Sequence, residues 1–104
     1  MPTAPKTWPV SILKTDGTKT ETQLDLTDFN LLEATIGCEC IEYVRVREGR
    51  LVIDGEGLIK DLPRNPLASP MYPVPTGIRG IAIFMTEDVF QQVEREFEAR
   101  QGAT

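Results

Sequence analysis

A proline-rich segment constrains the fold of this chain more than any other feature. Residues 62–77, LPRNPLASPMYPVPTG, contain five prolines. Proline has no backbone N–H and its ring blocks a helix interior, so this segment cannot be one helix or a central strand. It lies between two apolar runs, LVID at 51–54 and the run at 81–85. The sequence therefore predicts two strands joined by an irregular corner.

The corner carries its own helix-start signal. Asn65 is a favoured N-cap, and Pro66 suits the first helical position, where a missing N–H costs nothing. One helical turn is expected to follow, with Pro63 fixing the approach and Leu62 and Leu67 holding the loop on the core. If Asn65 were only a cap, its replacement by Ala would lower the free energy of unfolding by about 1 kcal/mol.

The same corner is also the alternative candidate for a binding site, because ordered loops often carry ligand contacts. On that interpretation Asn65, Ser69 and Tyr72 line a cleft, and Lys60 and Asp54 supply its charged groups. The architectural interpretation is the simpler one, since capping and turn chemistry account for the notable residues.

Before the corner, the sequence predicts two hairpins separated by a helix. WPVSILKT and TKTETQL flank the turn residues Asp16-Gly17, a strong hairpin signal. DLTDFNLLEATIG is expected to be a short helix capped by Thr27 or Asp25 and ended by Gly37. CECIEYVRVR and LVID follow as a second antiparallel pair around EGR.

After the corner, a last strand and a longer helix complete the pattern. TEDVFQQVEREFEARQG has Thr86 as its predicted N-cap and one apolar stripe for the core. The order ββαβββα favours an α+β fold, a small mostly antiparallel sheet with both helices packed on one face. Residues 1–7 are expected to be a flexible lead-in, and residues 8–104 one domain.

The charge and residue inventory excludes several kinds of chemistry. Net charge is −5 and histidine is absent, which argues against a nucleic-acid surface and removes Ser-His and Cys-His nucleophiles. No apolar run approaches the roughly 20 residues that span a bilayer, and the N-terminus lacks a signal-peptide core. These features predict a cytoplasmic protein that contacts neither nucleic acid nor membrane.

Cys38 and Cys40 could form a soft-metal or redox pair on one strand face. A tetrahedral metal site needs four ligands, and the chain offers no histidine and no third cysteine. The favoured interpretation is a buried, inert pair of thiols, with no metal and no cofactor.

The run IGCECIEYVRV, followed by LVIDGEGLIKDLPRNPLA and then an apolar strand, resembles a small family known only as a domain of unknown function, whose members occur in bacteria, phages and plasmids. The family pattern is a Gly-led strand ending in Ile-Glu, an Asp-x-x-Gly turn and a Leu-Pro-x-Asn-x-x-Ala segment. The matching positions are Gly37, Ile41, Glu42, Asp54, Gly57, Leu62, Pro63, Asn65 and Ala68. The resemblance implies a context of mobile elements and accessory genes, and it implies no catalytic activity.

Two functions follow from the sequence. The first is a small non-enzymatic interaction or regulatory accessory protein that acts through a protein partner or by self-association. An exposed apolar patch around Met71, Tyr72 and residues 73–75 would support it. The alternative is a small-molecule-binding protein or enzyme that uses a cleft beside Asn65, which a deep pocket there would support.

Overall fold

The computed structural model describes residues 6–72 and 75–102, and it contains five strands and two helices. Five residues of the predicted lead-in, 1–5, lie outside the described residues, as do 73–74 of the predicted apolar patch. The elements are β1 (Trp8–Leu13), β2 (Lys19–Leu24), α1 (Phe29–Ile36), β3 (Ile41–Val46), β4 (Gly49–Asp54), a single 3-10 turn (Ser69–Met71), β5 (Ala82–Thr86) and α2 (Glu87–Gly102).

All five strands form one antiparallel sheet in the order β2-β1-β5-β4-β3. The two predicted hairpins, β1–β2 and β3–β4, are both present. The last strand lies between them, with Ile12 opposite Ile83 on one side and Val52 opposite Ile83 on the other. The predicted α+β class is confirmed.

Each face of the sheet has its own apolar core, because successive strand side chains point to opposite faces. Both helices cover one face, where Leu32 and Ile36 of α1 and Val89 and Val93 of α2 belong to the same buried cluster. The corner covers the other face. Its cluster contains Leu13, Val44, Val46, Leu51, Ile53, Ala68, Ile78 and Ala82, with Leu67, Met71, Tyr72 and Phe84 packed against it.

The caps of the helices agree with the sequence in two of three cases. Gly37 ends α1 with φ of 83°, a left-handed conformation that favours glycine. Thr86 Oγ1 accepts a hydrogen bond from Val89 N (3.3 Å) at the start of α2. The predicted N-cap of α1 is wrong: Asp28 caps it, accepting from Leu31 N, while Asp25 accepts from Thr27 N in the turn before.

No helix within the described part of the chain is both long and apolar enough to cross a membrane.

Candidate functional sites

Asn65 is the centre of the corner, and its side chain is fully buried at 0% exposure. Its Oδ1 accepts hydrogen bonds from Leu67 N (3.0 Å) and Ala68 N (2.9 Å), the capping bonds that the sequence predicts. Its Nδ2 donates to Leu13 O (2.8 Å) and to Gly80 O (2.9 Å). A carboxamide has two N–H donors and accepts two hydrogen bonds comfortably, so the amide has no capacity left for a ligand.

Ser69 is committed to the same framework. Its Oγ accepts from Ile78 N (2.9 Å) and lies 3.2 Å from Ile78 O, to which it donates. Asn65 N also donates to Ile78 O (2.7 Å), so Asn65 and Ser69 are both bonded to the backbone of Ile78. Tyr72 is half-buried and packs on the apolar cluster beneath. The contacts of these three predicted site residues therefore fix the conformation of the corner.

The other two predicted site residues form a separate pair at the end of β4. Buried Asp54 accepts from Glu56 N (2.8 Å) through Oδ1 and from Lys60 Nζ (2.9 Å) through Oδ2. That hydrogen bond raises the pKa of Lys60. The pair closes the turn after β4, and Asp54 faces the helix side of the sheet while Asn65 lies under the corner. The five residues therefore do not converge on one cleft.

An open concavity does lie beside the corner, with a volume of about 390 Å³. None of the five predicted site residues lines it. Its lining combines the apolar Leu13, Leu67, Met71 and Phe84 with the polar Ser11, Lys19, Glu48 and Thr86.

The cysteines differ from the prediction in position and burial. Both precede β3, which begins at Ile41, and both are free thiols; Cys40 is exposed and Cys38 is only partly buried. They are displaced from the strand because the left-handed Gly37 cap leads into an irregular link, in which the Cys38 thiol lies 3.6 Å from Cys40 O. Partial burial raises the pKa of Cys38. Among the described residues, no cluster of three or more His, Cys, Asp or Glu side chains is placed to hold a metal ion.

A groove between the two helices is the feature that sequence reasoning missed. We call it the aromatic groove; it encloses about 240 Å³ and is lined by Phe29, Tyr43, Phe90, Val93, Glu94 and Phe97. Phe29 of α1 stacks on Phe97 of α2 at 5.5 Å between ring centroids, and Tyr43 of β3 meets Phe90 at 6.0 Å. Phe29 stays 48% exposed at the rim. The apolar stripes of the helices contained these rings, but helix spacing could not show that a gap remains between them.

The charges around the aromatic groove are distributed unevenly. At one end, Arg50 lies over the Phe90 ring, 4.3 Å from its centroid, and forms an ion pair with Glu87. Glu94 lines the groove and makes no ion pair with any side chain in the described ranges. Burial of the Tyr43 phenol raises its pKa, so the groove stays uncharged at its floor.

The turn after β4 carries the two most exposed large apolar side chains among the described residues. Ile59 is 83% exposed and Leu58 is 56% exposed, and both follow Gly57 in the segment between β4 and the corner. We call these two residues the apolar tip. Exposed branched aliphatic side chains on a short turn are costly to hydrate, so burial of the apolar tip against another apolar surface would be favourable.

Comparison with family models finds no match to this chain, and comparisons with curated proteins and solved structures find none either.

Proposed function

We propose that this chain is a small non-enzymatic interaction protein that binds an apolar protein segment in the aromatic groove. The observation that carries the proposal is the open, ring-lined gap between α1 and α2. Aromatic side chains dominate the binding energy of protein interfaces because each offers a large rigid surface at low entropic cost. We infer a regulatory accessory role because one small contact site of this kind suits binding to another protein.

The size and chemistry of the groove favour a side chain of a protein over a free metabolite. Small-molecule sites usually enclose roughly 300–1,000 Å³ and place several polar groups to orient the ligand. The aromatic groove is smaller, at about 240 Å³, and Glu94 is the one charged residue in its lining. A cavity of about 150 Å³ already holds a benzene-sized group. The groove therefore suits one or two apolar side chains.

The wider setting is part of the same proposal. The family resemblance described above supports an accessory role in a mobile element, such as a phage or plasmid. Two free thiols are compatible with the cytoplasm, where thiols stay reduced. The acidic balance of the chain, at −5, supports a protein partner over a nucleic acid or a membrane surface.

A second candidate function is small-molecule binding at the concavity beside the corner. It is favoured by one observation, the volume of about 390 Å³ lined by both apolar and polar side chains. A ligand there would contact Leu67 and Met71 of the corner, and Lys19 or Glu48 would orient it.

Site-specific photo-crosslinking tests the proposal. A benzophenone amino acid at position 29, on the groove rim, is expected to crosslink to a protein when illuminated in the native cells. The same probe at Thr20, exposed on the edge strand β2, is the matched control. Crosslinks from 29 alone that disappear when Glu94→Trp, at an exposed lining position, narrows the groove support the proposal; equal labelling from both positions contradicts it.

Native mass spectrometry of the same gently captured protein separates the two candidates. A noncovalent mass excess of metabolite size that survives Glu94→Trp but disappears with Met71→Lys would favour the concavity beside the corner. A protein partner or a homodimer without such an excess favours the aromatic groove.

A further inference from the structure

We propose that the occupant of the aromatic groove is the apolar tip of a second copy of this chain. This inference rests on the proposed function and names its partner. One molecule presents an apolar concavity at the groove and an apolar projection at Leu58 and Ile59. A surface that is complementary to itself in this way is what a closed, two-fold dimer requires, because each copy then supplies both halves of the contact.

The two surfaces cannot meet within one molecule. Phe29 begins α1 at the groove, whereas the other end of α1 lies near the turn after β4, where Gly37, Cys38 and Lys60 line a shared concavity. Eight helical residues separate these ends by about 12 Å. The turn is also held by the ion pair of Lys60 with buried Asp54, so the tip cannot swing across that distance. Contact between the tip and the groove is therefore intermolecular.

Charge at the two surfaces is complementary as well. Lys60 follows Ile59 directly, and its ammonium has three donors, of which one is used by Asp54. Glu94, the carboxylate of the groove lining, has no ion-pair partner among the described side chains. Because Lys60 follows Ile59 in the chain and Glu94 lines the groove, placing Ile59 in the groove of a second copy would bring Lys60 close to Glu94 of that copy. The two contacts of a symmetric dimer would each contain this pair.

The dimer is expected to be weak and reversible, since each contact centres on a few side chains rather than on the 1,200 Å² or more typical of stable complexes. Sedimentation velocity of the full chain across a wide concentration series measures the dissociation constant. Ile59→Ser is expected to weaken the dimer about tenfold or more, because it removes most of the buried apolar surface. Ile59→Leu, with the same volume, is expected to leave it within about threefold. The side chain is 83% exposed in the monomer, so neither change threatens folding.

Two exposed glutamates of α2 provide a matched test of the charge. Glu94→Lys and Glu98→Lys alter net charge equally, but only Glu94 lines the groove. Glu94→Lys is expected to weaken the dimer several-fold relative to Glu98→Lys, because it places an ammonium against Lys60. Equal dissociation constants for the two variants would overturn the assigned contact.

Mixing two defective variants gives the decisive result. An Ile59→Ser chain keeps its groove, and a Phe29→Ser chain keeps its tip, so the mixture can form one intact contact. The heterodimer is expected to be tighter than either variant alone, with circular dichroism confirming that both are folded. A wild-type monomer at every concentration, or a dimer insensitive to both substitutions, would overturn the inference. In that event, crosslinks from position 29 to a different protein would leave the proposed function standing, and their absence would remove both.

Discussion

Replacing Asn65 with Ala is the sharpest test of how the corner is held in place. As a cap alone, Asn65 contributes about 1 kcal/mol to the free energy of unfolding. In the structure its Nδ2 also donates to the backbone carbonyls of Leu13 and Gly80, which join the corner to β1 and to the segment before β5. The substitution therefore removes both the N-cap and the tether, by which we mean the two hydrogen bonds from Asn65 Nδ2 that attach the corner to the rest of the fold.

The magnitude follows from what is left unpaired. Each buried carbonyl that loses its donor costs about 1–3 kcal/mol, and the cap adds about 1 kcal/mol. The expected loss for Asn65→Ala is about 3–7 kcal/mol. Domains of this size unfold with about 5–15 kcal/mol in total, so the variant is expected to be marginally stable.

Urea unfolding followed by circular dichroism measures the loss, provided that the slope with denaturant is unchanged. Asp28→Ala is the matched control, because Asp28 caps α1 from an exposed position with a single hydrogen bond, to Leu31 N. Its expected cost is about 1 kcal/mol. An Asn65→Ala loss no larger than that of Asp28→Ala would refute the tether.

Asn65→Asp separates the two roles further. It keeps an oxygen for the cap but places a second oxygen, instead of an N–H, against Leu13 O and Gly80 O. Burial raises the folded-state pKa of the new carboxyl above its unfolded value of about 3.9. The free energy of unfolding of Asn65→Asp, relative to wild type, is then highest at low pH, where the protonated acid donates one hydrogen bond. This relative stability falls as pH rises through the acid range. A pH-independent difference would contradict this account.

Three further predictions concern other parts of the chain. Burial raises the pKa of Tyr43, so the free energy of unfolding of the wild type is expected to fall as pH rises above about 10. Urea unfolding of Tyr43→Phe is expected to show a smaller decline over the same pH range. Gly49→Ala is expected to cost at least about 3 kcal/mol, measured as a lowered unfolding midpoint, because a Cβ there would overlap Met85 O across the β4–β5 ladder; a near-wild-type midpoint would contradict it. Elemental mass spectrometry is expected to find no bound metal in the wild type and none in the variant with both Cys38→Ser and Cys40→Ser. Metal bound to the wild type but not to the variant would instead support a metal site at the two thiols.

Local chemistry made much of the fold predictable. The Asp16-Gly17 turn, the Gly37 stop and the Thr86 cap each act within a few residues, so their signals can be read directly from the chain. The Asn65 cap is of the same kind. Its tether to Leu13 is not, because the partner is 52 residues away and is a backbone carbonyl that any residue could supply.

The candidate site was less accessible to sequence reasoning for a related physical reason. Phe29 and Phe97 have the spacing of ordinary core residues of two amphipathic helices; Phe97 does pack beside the core, whereas Phe29 stacks on Phe97 and stays half-exposed. Whether two apolar stripes close on each other or leave a groove depends on the path of each helix across the sheet, which sequence periodicity does not specify. The predicted cluster of Asn65, Ser69, Tyr72, Lys60 and Asp54 failed to converge because two turns on different faces supply its members.

The central position of β5 has a consequence for how the chain is assembled during synthesis. The β1–β2 and β3–β4 hairpins share no ladder; each is bonded to the sheet through β5, which the ribosome makes after both. A nascent chain ending before Ala82 thus carries two separate hairpins, and an isolated two-stranded hairpin is marginal in water. Commitment to the native state therefore waits until β5 has been synthesised and can insert between the edges of β1 and β4.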